Sequence, residues 1–524
     1  MGETPRRVRR LEALVGSVLP VERFGDQLTI LSGTGQNIAG LGVYVLATLA
    51  TNVLISRAFG IRGASVLGVV TLATQLAFIG GAATRFGMDM AAVRRIAIEA
   101  GRGEPGRSRA ILARAAGISA IASIGVALAL FFAAAPLARA LHKGDATTVF
   151  ESAALALPFV ALSQVYLGGT RGLKVMRHTL TIYWAGQPLL WIALMVVGWT
   201  VSKSAGSSVL AYALSWVAAT AAAFWVWRRE TARFPGLPAE RGEARALIKY
   251  GAPRAPASLL AQLLFWTDYF VLSRYASSAE LGVYAAAIRL GQALVLFLVA
   301  VNYMFSPFVA DLHARGERDR LNSLYQSLTR WMVIGTLPLL LVLAVVPGPS
   351  LRLFGAGFAS GSTPLRILLI GQFVNVATGS VGFILVMVGR TVWDLTVYAL
   401  SFALDIAIAF VLAPRLGAEG AAVAQMAALV VSNGLGLYLV WRFVRIQPFN
   451  RHYVRLAWPT SIAAVVMIAV HVTVGRIGWA ADLVSTAVAG AIAYVGVLLY
   501  AGLAPIERDA IRRFAGLARG RASV

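Results

Sequence analysis

The chain has 524 residues, of which 58% are hydrophobic and 13% charged, and it carries a formal net charge of +24. An average soluble protein has about 45–50% apolar and about 25% charged residues, so this composition excludes a soluble globular protein and predicts a polytopic membrane protein. The sequence contains no cysteine, which excludes disulfides, thiol catalysis and cysteine-ligated zinc. Its five histidines are scattered without metal-ligand spacing, so no metal site is predicted.

The apolar segments are long enough to cross a bilayer, which needs about 20 consecutive, mostly apolar residues. Fourteen windows meet this requirement, and they predict an all-α integral membrane protein with about 14 transmembrane helices. The predicted spans are residues 38–57, 65–88, 110–132, 147–169, 178–200, 206–227, 255–273, 281–306, 329–348, 364–388, 391–413, 418–441, 455–475 and 480–502.

Lysine and arginine set the expected orientation, because basic loops are retained on the cytoplasmic side of the membrane. Most of the 47 basic residues fall in the N-terminal tail (residues 1–36), in alternate loops and in the C-terminal tail (residues 503–524). Both termini are therefore expected in the cytoplasm, and the basic, partly amphipathic N-terminal tail is expected to stay attached and lie on the membrane face. This distribution accounts for the positive charge, so nucleic acid is not an expected partner.

Short sequence matches recur at a spacing of 214 to 217 residues. The matching pairs are VLISR ending at Arg57 with FVLSR ending at Arg274, Gly68-Val69 with Gly282-Val283, and LTIY at 180–183 with LTVY at 395–398. Several matches at one spacing and in one order indicate an internal duplication. Six spans separate the copies, so both copies enter the membrane in the same direction, and a pseudo-twofold axis along the membrane normal relates them.

The duplication predicts two parallel six-helix bundles, at residues 37–228 and 250–444. A cytoplasmic loop at residues 229–249 joins them, and residues 445–502 add two further transmembrane helices. Transporters built from such repeats bind substrate between the halves, near the middle of the membrane. Because both halves lie in one chain, we expect a monomer to be sufficient for function.

Four stretches of the chain match sequence motifs of one known protein family, and they occur in the same order as in that family. They are SRAFGIRGASVLGVVTLATQLAFIGGAATRFGMDMAAVRRIA (residues 56–97), LGVYAAAIRL (281–290), RLFGAGFASGSTPLRIL (352–368) and PRLGAEGAAVA (414–424). Together they resemble the polysaccharide and lipid-linked oligosaccharide flippases of the multidrug/oligosaccharidyl-lipid/polysaccharide (MOP) exporter superfamily. The resemblance extends over roughly residues 36–442.

This resemblance implies a transporter rather than an enzyme, with two lobes around a central cavity that opens alternately to each side. The implied cargo is an undecaprenyl-diphosphate-linked oligosaccharide or polysaccharide unit, or a related anionic glycolipid, moved to the outer leaflet of the bacterial cytoplasmic (inner) membrane. Expected partners are this lipid-linked substrate, membrane lipids and enzymes of polysaccharide biosynthesis. No catalytic residue, cofactor or metal is expected.

Arg289 is the first candidate for a substrate-binding residue. A charge at the bilayer centre costs about 2.5–3.5 kcal/mol on insertion scales, so an arginine there points to function. Arg289 lies eight residues into a predicted span that starts at Leu281, which is about 12 Å deep at 1.5 Å per residue. Its planar guanidinium would match a diphosphate or an acidic sugar. The alternative is a structural ion pair with Asp268, one helix earlier at comparable depth.

Two further arginines are candidates for the cavity. Arg85 lies towards the cytoplasmic end of the second span, and the alternative is a local pair with Asp89, four residues on. Arg254 lies between Pro253 and Pro256, where helix breakers could mark a mobile access to the cavity. The alternative for Arg254 is a side chain that extends to the membrane surface.

Other polar residues in the spans suggest coupling and a hydrated interior. Asp268 and Asp405 could couple transport to H⁺ or Na⁺, because intramembrane carboxylates serve as ion relays; ion pairing is the alternative. Candidates for lining a sugar-accommodating cavity are Gln75, Gln262, Gln292 and Asn302. For these the alternative is interhelical hydrogen bonding, worth about 0.6 kcal/mol each.

Three other functions stay open at the level of sequence. A flippase for the peptidoglycan lipid precursor would share the fold, and so would a MATE-type exporter of small cationic molecules, although intramembrane arginines favour anionic cargo. A membrane glycan polymerase or ligase is disfavoured, because the chain lacks the D-x-D, H-E-x-x-H, G-x-S-x-G and P-loop patterns. Its external loops are also too short for a large active site.

Overall fold

The computed structural model describes residues 21–101, 105–143, 146–238, 240–252 and 255–502. Within these ranges every regular element is a helix, which confirms the predicted all-α class. The physical reason is that a segment in hydrocarbon must satisfy its backbone hydrogen bonds internally, and a helix does so without a partner strand.

In the described part of the chain, seven helices lie before the predicted loop at 229–249 or end at its start. They are α1 (Val21–Ala58), α2 (Gly63–Thr84), α3 (Met88–Gly101), α4 (Ser108–Ala140), α5 (Thr147–Gly172), α6 (Gln187–Val201) and α7 (Ala205–Thr231). A π-helical segment, Thr179–Gly186, leads into α6. Because α1 begins at Val21, residues 21–36 of the expected N-terminal tail continue the first span as one helix.

Thirteen further helices lie after α7 among the described residues, and the first of them falls mostly within the predicted loop. They are α8 (Glu243–Gly251), α9 (Ala255–Leu263), α10 (Thr267–Tyr275), α11 (Ser278–Gln292), α12 (Leu296–Ala314), α13 (Arg318–Val345), α14 (Pro347–Leu351), α15 (Ser362–Thr378), α16 (Val381–Met387), α17 (Thr391–Leu416), α18 (Ala418–Val444), α19 (Ala457–Val474) and α20 (Trp479–Val497). A 3₁₀ turn, Ala293–Val295, interrupts the path from α11 to α12.

The predicted count of about 14 spans is not confirmed in its exact number. Within the described ranges, twelve helices are long and apolar enough to cross a membrane, and the pair Ala356–Thr378 and Val381–Met387, bent by 41°, would make a thirteenth span. The predicted span at 255–273 is instead two nine-residue helices, α9 and α10, separated by a break at residues 264–266. Neither is long enough to cross alone at 1.5 Å per residue.

Serine caps begin two of the helices that carry functional candidates. The Ser204 hydroxyl accepts a hydrogen bond from the Ser207 amide at 3.0 Å, forming a capping box at the start of α7. The Ser277 hydroxyl accepts from the Glu280 amide at 3.1 Å at the start of α11. Each cap satisfies an amide that has no partner inside the helix, and it fixes where that helix starts.

The helices pack in two groups that also contact each other. In the first, α5 contacts α2, α3, α4 and α7; in the second, α18 contacts α15 and α17. The last helices, α19 and α20, pack on each other and on α13. The groups meet where α2 contacts α11 and α1 contacts α12, and the largest hydrophobic core extends across this boundary. The limits of the two bundles, 37–228 and 250–444, remain a prediction.

Gly68 of α2 and Gly282 of α11 form a reciprocal contact between the groups. A Cβ atom on Gly68 would lie 2.3 Å from the Ser278 carbonyl oxygen, and a Cβ on Gly282 would lie 1.8 Å from the Ala64 carbonyl oxygen. Each glycine thus faces the residue four positions before the other, as two equivalent residues beside a twofold axis would. The Tyr269 hydroxyl adds a hydrogen bond to the Gly68 carbonyl at 2.8 Å.

Two basic side chains join the groups at the same end of the molecule. The buried Lys143 ammonium, in the loop after α4, donates to the Ser273 and Ala276 carbonyls at 3.0 and 3.2 Å, at the C-terminus of α10. Arg57, at the end of α1, donates to the Arg352 and Leu353 carbonyls at 2.6 and 2.9 Å. The last carbonyls of a helix have no partner within it, so these cations bind where acceptors are available. We call this end, with the glycine contact, the seam.

Candidate substrate and ion site

Three segments lose regular α-helical geometry near Arg289. They are the π-helical segment Thr179–Gly186, the break at residues 264–266 and the 3₁₀ turn Ala293–Val295. Such irregularities are frequent at functional sites, and in membranes they are tolerated where the backbone lines a cavity or is buried in protein. Their convergence makes the surroundings of Arg289 the candidate site.

The Arg289 guanidinium lies over an aromatic ring. Its central carbon is 4.7 Å from the centroid of Trp266, at the break between α9 and α10. One terminal nitrogen donates to the Gln292 side-chain oxygen at 3.4 Å, and Nε has no hydrogen-bond partner among the described residues. The residue is half-buried. Stacking on tryptophan holds the cation in place while leaving donors for a ligand.

Two tyrosines of the first group of helices act electrostatically on this cation. Tyr44 of α1 and Tyr212 of α7 lie within electrostatic reach of Arg289. Tyr44 contacts Trp184 edge-to-face at 5.0 Å and stacks on Tyr183 at 6.5 Å. Tyr212 and Tyr183 in turn contact Trp216 at 6.1 and 5.8 Å, and Tyr212 contacts Trp191 at 4.9 Å.. We call these six residues the aromatic cluster.

The glycine contact assigns Arg289 an equivalent residue in the first half. Arg289 lies seven residues after Gly282, and Gln75 lies seven residues after Gly68. Seven residues correspond to about 10 Å along a helix, so both side chains lie at the same distance from the seam. Gln75 is buried in α2. The site is therefore asymmetric, with a cation in the second half and a neutral amide in the first.

Asp268 is buried and bound by neutral partners rather than by Arg289. It accepts a hydrogen bond from the Tyr284 hydroxyl of α11, and the Gln425 amide of α18 lies 3.5 Å from its other oxygen. The same amide donates to the Phe265 carbonyl at 3.1 Å, which satisfies backbone freed by the helix break. Among the described residues no ion pair joins Asp268 to Arg289. This conformation therefore lacks the structural ion pair that was the alternative role for Arg289.

Asp405 of α17 lies within electrostatic reach of Asp268 and Tyr284. It has no solvent exposure, and neither carboxylate oxygen has a hydrogen-bond partner among the described residues. The hydroxyl of Ser401, one turn earlier, is likewise buried without a partner there. Two buried carboxyl groups that act on each other electrostatically cannot both be charged at low energetic cost, so the pair is suited to hold a proton or another cation.

The remaining predicted residues are dispersed. Arg85 pairs with Asp89 at 3.4 Å, which is the local ion pair given as the alternative to a role in the cavity. Gln262 is half-buried on α9. Asn302, buried on α12, accepts a hydrogen bond from Ser380. Arg254 lies outside the described residues. Of the predicted set, the structure brings together Arg289 with Gln292, and Asp268 with Asp405.

The aromatic cluster was missed at the sequence level. Its members come from four different helical segments, α1, the π-helical segment, α6 and α7, so no local pattern connects them. The one available signal is the LTIY motif at 180–183, which contains Tyr183 and recurs in the second half as LTVY at 395–398.

The arrangement of helices matches solved transporters. A lipid II flippase, MurJ, in an inward closed conformation has a TM-score of 0.66 and 13% identity, covering 91% of this chain and 99% of that chain. An inward-facing multidrug resistance MATE family transporter of the MOP superfamily has a TM-score of 0.65 and 15% identity, covering 77% and 94%. An outward-facing one has a TM-score of 0.54 and 14% identity, covering 79% and 95%. The fold is that of MOP-superfamily transporters.

Sequence profiles identify the family. The profile of the polysaccharide biosynthesis protein family matches residues 28–313, more than half of the chain, and the MatE profile matches residues 253–411. The chain belongs to the polysaccharide biosynthesis protein family within the MOP superfamily. No curated protein sequence matches it.

Proposed function

We propose that the protein flips an undecaprenyl-diphosphate-linked oligosaccharide or polysaccharide unit from the cytoplasmic to the outer leaflet of the bacterial cytoplasmic membrane. The observation that carries this proposal is Arg289, a cation stacked on Trp266 within electrostatic reach of Tyr44 and Tyr212 of the aromatic cluster. Guanidinium binds phosphate through several donors, and flat aromatic faces pack against sugar rings. One site thus offers binding groups for both parts of a glycan diphosphate.

Alternating access requires one end of the molecule to be closed while the other is open. The seam closes one end through the Gly68–Gly282 contact and the bonds made by Lys143 and Arg57. The higher TM-score against the inward-facing transporter than against the outward-facing one supports assigning the seam to the extracytoplasmic side. In this proposal the seam opens when the cargo is delivered to the outer leaflet.

Asp268 and Asp405 supply the coupling in this proposal. Binding of H⁺ or Na⁺ relieves the repulsion between the two buried carboxyl groups, and Asp268 lies two residues from Trp266, on which Arg289 stacks. Binding of H⁺ or Na⁺ at Asp268 and Asp405 is thereby linked to the position of Arg289 through the short helix α10. The described part of the chain contains no group of three or more His, Cys, Asp or Glu side chains that could hold a metal ion.

Replacement of Arg289 tests the proposal. Arg289→Gln is expected to lower flipping of an undecaprenyl-diphosphate-linked oligosaccharide at least about tenfold, because the loss of one charge-assisted contact costs about 1.5–3 kcal/mol. Flipping is measured in proteoliposomes by access of a glycosidase to the labelled glycan. Arg289→Lys keeps the charge but loses the planar fork, so an intermediate rate is expected.

Arg415→Gln serves as the matched control, because Arg415 is an exposed arginine at the end of α17. Its rate should equal that of the wild type. Wild-type rates in Arg289→Gln, with protein amount and folding unchanged, would show that the cargo phosphate is bound elsewhere.

The peptidoglycan lipid precursor is the second candidate cargo. The solved lipid II flippase covers 91% of this chain, compared with 77% for the inward-facing MATE transporter, so the likeness to the former extends over more of the molecule. Both lipid cargoes carry a diphosphate, and the same assay with each cargo separates them. The purified protein should form no glycosidic bond with either, which distinguishes it from a polymerase or ligase.

A further inference from the structure

A polar connector links the second group of helices to α19 and α20. This connector, residues 445–456, lies along the first turns of α13. Arg318 donates to the Arg445 carbonyl at 2.6 Å, and the Gln447 amide donates to the Asn322 side chain at 2.9 Å. One turn further along α13, the Asn450 amide donates to Gln326 at 3.3 Å. Contacts at every fourth residue place one face of α13 against the connector.

Arg330 continues that face by one more turn. It is 2% exposed, and it lies where the apolar part of α13, predicted at 329–348, begins. Burial, together with the charges of Arg330, Arg455 and Arg451, lowers the pKa of His452. Among the described residues, the charged groups that act on His452 are thus cations, so this point of the connector favours an anion.

Two polar atoms of the connector face this positive region without a protein partner. His452 Nδ1 and Tyr453 Oη are both buried, and neither makes a hydrogen bond to any described residue. Tyr453 also lies within electrostatic reach of Arg330. Leaving a buried polar group unsatisfied costs about 1–3 kcal/mol. A neutral imidazole N–H and a phenol O–H can both donate to an anion.

The surface around the connector is apolar and aromatic. Its exposed side chains are Trp441, Phe449, Val454 and Trp458. Tryptophan is enriched at the level of lipid headgroups, where one part of the ring meets hydrocarbon and another meets water. Arg451 and Arg455 are exposed in the same segment. The connector therefore has the composition of a membrane–water interface.

We propose that Arg330, His452 and Tyr453 bind the phosphate of an anionic membrane lipid between α13 and the α19–α20 pair. The guanidinium and the two unsatisfied donors hold the phosphate, while Arg451 and Arg455 add attraction at the surface. The acyl chains lie along the exposed apolar faces of α19. This headgroup site is separate from Arg289 and does not depend on the identity of the cargo.

The test measures lipid binding to the purified full chain in detergent. Native mass spectrometry counts bound lipid, and thermal unfolding reports stabilisation, with phosphatidylglycerol, phosphatidylcholine and inorganic phosphate each added at equal concentration. Phosphatidylglycerol should bind and stabilise, and Arg330→Gln should weaken its binding at least about tenfold through the lost charge-assisted contact. Equal binding of phosphatidylcholine overturns the proposal. Equal stabilisation by inorganic phosphate also overturns it, because the site would then take a free anion.

A second variant keeps the test valid if Arg330→Gln does not fold. Tyr453→Phe removes one donor from a residue that remains partly exposed, and it should weaken phosphatidylglycerol binding by a few-fold. Arg476→Gln, an exposed arginine at the opposite end of the α19–α20 pair, is the matched control and should leave binding unchanged. The readout is lipid binding rather than flipping, so failure of this proposal is distinguishable from failure of the proposed flippase activity. Unaltered binding in Tyr453→Phe contradicts the assignment of that residue and of the site.

Discussion

Gly68 and Gly282 determine how closely the two groups of helices approach at the seam. A side chain at either position would meet backbone atoms of the opposite helix, and backbone cannot move aside as a flexible side chain can. Both glycines lie inside helices, where glycine is less favourable than alanine by about 1 kcal/mol. The close helix crossing offsets that cost, as small residues do at helix interfaces in lipid.

Gly282→Ala is expected to destabilise the protein by about 1–3 kcal/mol, since the added methyl group overpacks the crossing. The measurement is the free energy of unfolding in detergent by denaturant titration. Gly434→Ala is the control, because a Cβ on this helical glycine has no atom within 4 Å, and it should be neutral or stabilising by up to about 1 kcal/mol. Equal effects of the two substitutions would rule out a tight crossing.

Asp405→Asn is expected to remove the dependence of transport on an ion gradient while leaving the fold intact. The substitution takes one of two neighbouring buried carboxyl groups out of the site, so the repulsion that ion binding relieves no longer exists. Flipping rates in proteoliposomes with and without imposed H⁺ and Na⁺ gradients provide the measurement. Asp311→Asn is the control, because Asp311 is an exposed carboxylate paired with Arg315; this variant should retain the wild-type gradient dependence. If Asp405→Asn also retained it, the coupling role would be contradicted.

Helix α8 is held to α3 by a cluster of charged residues. Arg95 of α3 contacts the Glu243 carboxylate at 2.9 Å and the Glu240 carboxylate at 2.7 Å, and it lies 3.3 Å from Glu99 in its own helix. The hydrogen bond to Glu243 raises the pKa of Arg95 although partial burial lowers it. The Arg94 guanidinium adds a contact over the Tyr250 ring at 4.6 Å. The segment that joins the two halves is thus fixed to the first half.

A double-mutant cycle on Arg95→Gln and Glu243→Gln should give a coupling free energy of about 0.5–3 kcal/mol. Glu243 is buried, so salt should screen this pair only weakly. The Asp311–Arg315 pair, exposed at both ends, provides the comparison and should couple by no more than about 0.5 kcal/mol. Comparable coupling for the two pairs would mean that α8 is not held by the charge cluster.

At the scale of the whole molecule, the conformation is defined by the closed seam. His142, in the loop after α4, contacts Arg274 of α10 at 3.1 Å, and a cavity of about 420 Å³ lies beside them. These contacts join the first half to the second at the end assigned to the extracytoplasmic side. A transporter that works by alternating access must break all of them in each cycle.

Crosslinking the seam is therefore expected to stop transport. The chain has no native cysteine, so His142→Cys combined with Arg274→Cys can be joined without background by a short bis-methanethiosulfonate, which forms a reducible disulfide with each thiol and releases methanesulfinate. Flipping should fall to the level of empty liposomes and return on reduction. Each single cysteine variant, treated in the same way, is the control; full activity of the crosslinked double variant would show that the seam need not open.

Much of the fold could be predicted from the apolar pattern of the sequence, whereas the site could be predicted only in part. Arg289 stood out because a cation in an apolar span is rare. The break at residues 264–266 could not be predicted, because Phe265 and Trp266 read as ordinary span residues, and the Gln425 side chain that satisfies the freed carbonyl comes from α18. Tyr44 and Tyr212 are equally ordinary interior residues until the fold brings them within electrostatic reach of Arg289.

The sequence by itself determined the membrane class, the helical fold and the duplication. These follow from local properties: a hydrocarbon environment requires helices, and equivalent motifs recur at fixed spacing. Only the tertiary structure decided which polar groups meet. It placed Arg289 on Trp266 rather than on Asp268, and it brought Asp268 to Asp405. The reason is that pairing between distant helices depends on crossing geometry, which here is set where Gly68 meets Gly282.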